Sequence, residues 1–207
     1  MAEHIFETTS SETLHTGKIF ALRKDQVRMP GGKIVPREVV EHYGAVAVLA
    51  MDDDANIPMV NQYRHPIGRR LWELPAGLLD VDSEAPHITA ARELREEAGL
   101  EARAWHVLVD LDSTPGFSDE SVRVYLATGL TDVGRPEAHD EEAEMTLRWL
   151  PIAEAVRQVF TGDIVDSLAV AGILAAYAVK EGVAQPRPVD AAWIDKPTAF
   201  AARQAAR

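Results

Sequence analysis

Residues 77–100 read GLLDVDSEAPHITAARELREEAGL, and the architecture turns on the last nine, RELREEAGL from Arg92 to Leu100. The periodicity predicts a helix over about Pro86 to Ala98, and Gly99 stands where a C-terminal cap belongs. On that helix Glu93 and Glu97 are i,i+4 and share a face, with Glu96 beside them. Ala91, Leu94 and Ala98 fall at i, i+3 and i+7, an apolar stripe that can seat the helix on a core. Like charges four residues apart each cost about 0.2–0.5 kcal/mol in an isolated helix, so the cluster asks for a counter-charge. Oxygen ligands with no His or Cys among them suit Mg²⁺ or Mn²⁺. The plain alternative is a solvated charge run on a surface helix, with Arg92 paired to Glu96.

Working outward, Ile19 to Met29 and Lys33 to Tyr43 alternate around the turn Pro30-Gly31-Gly32, which predicts an N-terminal antiparallel strand pair. Val46 to Met51 is apolar enough for a buried strand, and Pro58 to Arg64 makes the next. Ala104 to Leu111, Ser121 to Ala127 and Met145 to Leu150 read as further strands. Helices are expected over Ile152 to Phe160 and Ile164 to Lys180. Thr131 to Glu144 is a long acidic loop, of a length that is often functional. These elements give an α/β class with a mixed β-sheet in an α/β/α sandwich. The expected division is an N-terminal strand region (1–43), a main domain (44–181) and a mobile tail without a core pattern (182–207).

Twenty-one Lys and Arg against 33 Asp and Glu leave a net charge of −12, which argues against non-specific nucleic-acid binding. A small phosphorylated substrate stays compatible, because a metal ion can carry the attraction locally. The absence of cysteine excludes disulfides, thiolate metal sites and Cys nucleophiles. MAEHIFETTS has neither a basic nor an apolar leader region, and Leu168 to Val179 is too short for a membrane span, so a cytoplasmic protein without membrane partners is expected.

Taken with the lead-in WELPAG (Trp72 to Gly77), the segment resembles the Nudix box, G-x5-E-x7-R-E-U-x-E-E-x-G-U with U aliphatic. Gly77, Glu84, Arg92, Glu93, Leu94, Glu96, Glu97, Gly99 and Leu100 supply its fixed positions. Six residues rather than five separate Gly77 from Glu84, an extra residue that leaves the carboxylate spacing intact. The resemblance implies the Nudix fold and metal-assisted hydrolysis of a nucleoside diphosphate linked to another moiety. Glu93, Glu96 and Glu97 would then hold the metal, completed by the Ala76 carbonyl, while Arg92 with Glu84 would orient the carboxylates.

GKIFALRKDQVRMPGG, PREVVEH, NQYRHPIGRRLWELPAG and STPGFSDE resemble the ADP-ribose pyrophosphatase branch of that family, with Pro115 fifteen residues past Leu100. The resemblance implies that Arg37 contacts adenine with Glu38 close by, that Arg64 contacts phosphate or ribose, that Leu78 and Gly116 line the substrate site, and that Glu120 takes ribose hydroxyls. Cross-strand salt bridges are the alternative for Arg37 and Glu38, and a solvated loop edge for Arg64, Arg69 and Arg70. In the acidic loop, Glu142 matches the family's general base and Glu144 an additional metal ligand, with Glu141 the alternative base. A homodimer exchanging N-terminal strands is implied as well. The alternatives are Nudix hydrolysis of GDP-mannose, NADH or a dinucleoside polyphosphate, and a non-catalytic ADP-ribose sensor. Intact carboxylates and a tail too weakly basic for DNA weigh against the sensor.

Overall fold

The computed structural model describes residues 5–136 and 144–206. In chain order the elements are β1 (Glu7–Thr16), β2 (Phe20–Arg28), β3 (Ile34–His42), β4 (Ala45–Ala50), β5 (Asn56–Arg64), β6 (Arg69–Glu73), β7 (Ala76–Leu78), α1 (Pro86–Ala98), β8 (Leu100–Asp112), β9 (Ser121–Asp132), β10 (Thr146–Pro151), α2 (Ile152–Thr161), α3 (Ser167–Lys180), β11 (Arg187–Pro188) and α4 (Ala199–Ala205). They fall into two compact units.

The larger unit spans Ala45–Leu111 and Val122–Ile194. Its centre is a mixed sheet in the order β11-β8-β9-β4-β7, with β4 parallel to β9 and antiparallel to β7. All six residues of β4 are buried, as its unbroken apolar run requires of a strand covered on both faces. The period of two sends Val46, Val48 and Ala50 into one apolar cluster with Ala90, Leu94 and Ala98 of α1. Ala47 and Leu49 enter the opposite cluster, with Ala155 of α2 and Ala169, Ile173 and Ala176 of α3. That is the expected α/β/α arrangement. A second sheet, β10-β5-β6, is antiparallel throughout. Among the described residues no helix is long and apolar enough to cross a membrane.

The seat of α1 differs from the expected stripe by one residue. Ala90 is fully buried with Leu94 and Ala98, whereas Ala91 is only half-buried. Glu97 joins the buried face at 6% exposure, so the helix carries one of its carboxylates inward. Gly99 ends it at φ 69°, its N–H donating to the Arg95 carbonyl as a C-cap does.

The smaller unit holds the described residues up to Gly44, Asp112–Ser121 and the residues from Asp195 onward. Its sheet has three antiparallel strands, β1-β2-β3, so the expected strand pair gains a partner in β1. The segment Asp112–Ser121 docks on β3, where Val40 N–H donates to the Phe117 carbonyl at 2.7 Å and Val40 accepts from Asp119 N–H at 3.1 Å. The final residues are built in too, where the sequence suggests a mobile tail without a core pattern. Phe200 of α4 is fully buried, 4.6 Å edge-on from the Tyr43 ring. Arg203 forks onto the buried Glu41 carboxylate at 2.7 and 2.9 Å, and Arg23 reaches the same carboxylate at 2.7 Å. These arginines hold the Glu41 carboxyl below its ordinary pKa; the hydrogen bond from Arg203 is the largest cause, ahead of the opposing effect of burial and the bond from Arg23.

Candidate active site

In the larger unit, the strand β7 and the helix α1 bring the box residues together. Ala76 N–H donates to Glu97 Oε2 at 3.0 Å, tying strand to helix. At Gly77 the backbone runs so close that a Cβ would lie 2.0 Å from Glu93 Oε1. A side chain there would displace the Glu93 carboxylate, so glycine is required for the position of that group.

Arg92 lies among the carboxylates. Its Nη1 donates to Glu93 at 2.7 Å and Glu96 at 3.2 Å, and its Nη2 to Glu84 at 3.4 Å. Burial opposes its charge, yet Glu93 and Glu84 outweigh burial and raise its pKa above that of a free arginine. Its Nε is buried without a hydrogen-bond partner among the described residues. Glu84 is held ionised below its ordinary pKa, first by the Thr89 hydroxyl at 2.8 Å and then by Arg92. The Arg92–Glu96 pairing of the plain reading is therefore present, inside a wider cluster.

Exposure grades the three box carboxylates: the Glu96 side chain is 41% exposed and that of Glu93 12%, while Glu97 is buried. Among the described residues no three His, Asp or Glu are already placed to hold a metal ion. Arg92 supplies positive charge to two of the three. The set still fits a hard divalent cation. Its donors are carboxylate oxygens on adjacent turns, and the glycine at 77 leaves Glu93 room against the strand.

Arg64, at the end of β5, is exposed to solvent, yet it is anchored. Its Nε and Nη2 donate to the two oxygens of Glu73 at 2.9 and 2.6 Å, and Glu73 is 4% exposed. The fork raises the Arg64 pKa and fixes the guanidinium plane. Sequence reading passed over Glu73, although it is the acid of WELPAG; the pairing needs the hairpin of β5 and β6, and β6 is too short for a pattern. Leu78 closes β7, half-buried. Glu144 is exposed and pairs with Arg70, its contact in this structure. Glu141 and Glu142 lie outside the described residues. Trp72 is core, as expected, with the Arg148 guanidinium 3.8 Å from its ring centroid.

In the smaller unit, Arg37 and Glu38 are exposed on β3, opposite Asp25 and Lys24. For Arg37 the cross-strand alternative does not hold: the facing Asp25 pairs with Arg23, and Arg37 donates to the Pro36 carbonyl. Gly116 lies in a turn with open space around it. Glu120 Oε1 stands 3.5 Å from His42 Nδ1, and neighbouring Asp119 accepts from His42 N–H at 2.8 Å. Burial raises the pKa of Asp119 above its ordinary value.

Comparison with known proteins bears on what these groups do. A family model described as the NUDIX domain matches residues 40–168, and one described as the nucleoside diphosphate sugar hydrolase N-terminal domain matches residues 6–40. The chain is 75% identical to an ADP-ribose pyrophosphatase of Mycobacterium tuberculosis over 207 residues, all of both chains. An ADP-ribose pyrophosphatase of Bacillus subtilis is 37% identical over 161 residues, 78% of this chain and 86% of the relative. A solved structure titled as an ADP compounds hydrolase superposes with a TM-score of 0.75 at 18% identity, covering 89% of this chain and all of that one; it shows the fold alone.

Proposed function

This chain belongs to the Nudix family, and from that premise we propose that it hydrolyses ADP-ribose to AMP and ribose 5-phosphate with a divalent metal, Mg²⁺ or Mn²⁺. The observation that carries the reading is the 75% identity to an ADP-ribose pyrophosphatase along the whole chain.

Glu93, Glu96, Glu97 and the Ala76 carbonyl would hold the metal. When bound, it neutralises pyrophosphate charge and makes phosphorus more electrophilic. Arg92 fastens Glu93, Glu96 and Glu84 so that like charges can share one turn. Arg64, aimed by Glu73, meets phosphate; Arg37 and Glu38 serve adenine, Leu78 and Gly116 line the substrate, and Glu120 accepts from ribose hydroxyls. Glu142 takes the proton of the attacking water, and Glu144 would join the metal-binding groups. An oxygen–phosphorus bond forms to water, the bridging phosphorus–oxygen bond breaks, and the two monophosphates leave. The working unit is a homodimer that exchanges its N-terminal strands; a fully active monomer by light scattering would refute that.

Steady-state kinetics with ADP-ribose, GDP-mannose and NADH test the specificity. The expected result is a kcat/KM for ADP-ribose well above the other two, and equal values would contradict it. Glu73→Gln tests the aim of Arg64: a neutral amide leaves the guanidinium only half of its fork. KM for ADP-ribose should rise about tenfold, the order of one lost charge-assisted contact, with kcat changed less. A fall in Tm with unchanged KM would make the pair structural only.

A further inference from the structure

Thr89, Arg92, Glu93 and Glu96 stand at i, i+3, i+4 and i+7 of α1 and so form one ridge of the helix. The last three belong to the box, whereas Thr89 occupies none of its fixed positions. Thr89 is 1% exposed, and its hydroxyl donates to Glu84 Oε2 at 2.8 Å. We propose that Thr89 is a positioning residue for the metal centre. Its hydroxyl fixes Glu84, Glu84 holds Arg92, and Arg92 sets the carboxylates of Glu93 and Glu96 for the cation. The proposal rests on the metal site of the hydrolase reading and extends it to a residue outside the box pattern.

The loop ahead of the helix needs such a tie. It places six residues between Gly77 and Glu84, one more than the box pattern, and the last of them, Ser83, has φ 64°. A residue with a side chain costs free energy in that left-handed region and persists there only where its surroundings hold it. Helix capping supplies little hold. The N-cap is Ala85, whose side chain makes no capping bond, and Pro86 after it has no N–H to donate. The Thr89 N–H closes the first turn on the Ala85 carbonyl at 3.2 Å, which leaves the hydroxyl to reach back to Glu84.

The far end of the relay has no slack. Arg92 Nη2 reaches Glu84 at 3.4 Å, while Nη1 serves Glu93 at 2.7 Å and Glu96 at 3.2 Å. Its Nε is already buried without a hydrogen-bond partner among the described residues. A guanidinium that lost Glu84 would draw closer to Glu93 and Glu96, in competition with the cation that needs the same oxygens. The Thr89 hydroxyl thus acts on metal affinity, through two intervening side chains.

Thr89→Val deletes the hydroxyl and keeps the shape and the β-branching, so the helix itself loses little. Electron paramagnetic resonance of free Mn²⁺, with protein and no nucleotide, reads the affinity for the metal alone. The Mn²⁺ Kd should rise about tenfold in the valine variant, the order for loss of an outer partner of a metal ligand. Thr89→Ser keeps the hydroxyl and should bind Mn²⁺ as wild type does. The Mg²⁺ concentration for half-maximal hydrolysis should rise in step with the Kd, and KM for ADP-ribose at saturating Mg²⁺ should hold. In a Glu84→Ala background Thr89→Val should add nothing further, because the effect runs through that carboxylate. Thr89→Ala carries the same expectation should valine pack poorly. A wild-type Kd in both the valine and alanine variants, or a serine variant as weak as valine, overturns the proposal. A fall in metal-free Tm with unchanged Kd overturns it too, since Thr89 would then be structural. If the variants bind metal normally and wild type cleaves ADP-ribose, this inference fails and the hydrolase reading stands. If Thr89→Val weakens Mn²⁺ binding but wild type leaves ADP-ribose intact, the inference stands and the hydrolase reading fails.

Discussion

Glu97→Gln is expected to lower kcat by about 10³-fold, some 4 kcal/mol of transition-state stabilisation, while leaving the fold in place. Glu97 is the most buried of the three box carboxylates, and its Oε2 accepts the Ala76 N–H. An amide oxygen can accept that same hydrogen bond, so the link between β7 and α1 survives the substitution. What disappears is a negative charge and a hard donor where the metal must be held. Removing one of several crowded like charges should leave the melting temperature without metal unchanged or slightly raised. Kinetics with a thermal melt in chelator check both halves. A large fall in Tm would instead make Glu97 a structural residue.

Glu142→Gln is the second large effect. A base must reach its water without being fixed among the metal ligands, and a carboxylate in the acidic stretch between β9 and β10 suits that role. Removing it should lower kcat by about 10²–10⁴-fold with little change in KM, the range for loss of a general base. If Glu142→Gln is near normal while Glu141→Gln is impaired, the register is off by one. If neither matters, the base belongs to α1 itself.

The parts of the fold that rest on local patterns were legible in the sequence. The helix α1 has its observed bounds because periodicity and a terminal glycine mark them, and β4 declares itself as an unbroken apolar run. Which alanine faces the core is harder, since Ala90 and Ala91 differ by only 100° around the helix and both fit a stripe through Leu94. Strand β1 shows no alternation because it is exposed almost throughout and depends on pairing with β2. The strands β6 and β7 are too short for a period to emerge. Long-range partners are the least legible. Nothing near Glu41 announces Arg203, 162 positions away, and nothing near Arg64 announces that Glu73 returns beside it across a hairpin. In the site, the box carboxylates and Arg92 could be read from one stretch because a single helix carries them all. The acid that holds Arg64 could not.

Product analysis of wild-type protein with ADP-ribose tests the central claim most directly. Chromatographic separation after incubation with Mg²⁺ should give AMP and ribose 5-phosphate in equal amounts. Excess chelator should abolish both products, and added Mg²⁺ should restore them. Intact ADP-ribose under Mg²⁺ and Mn²⁺ alike, or hydrolysis that persists in chelator, would contradict the account.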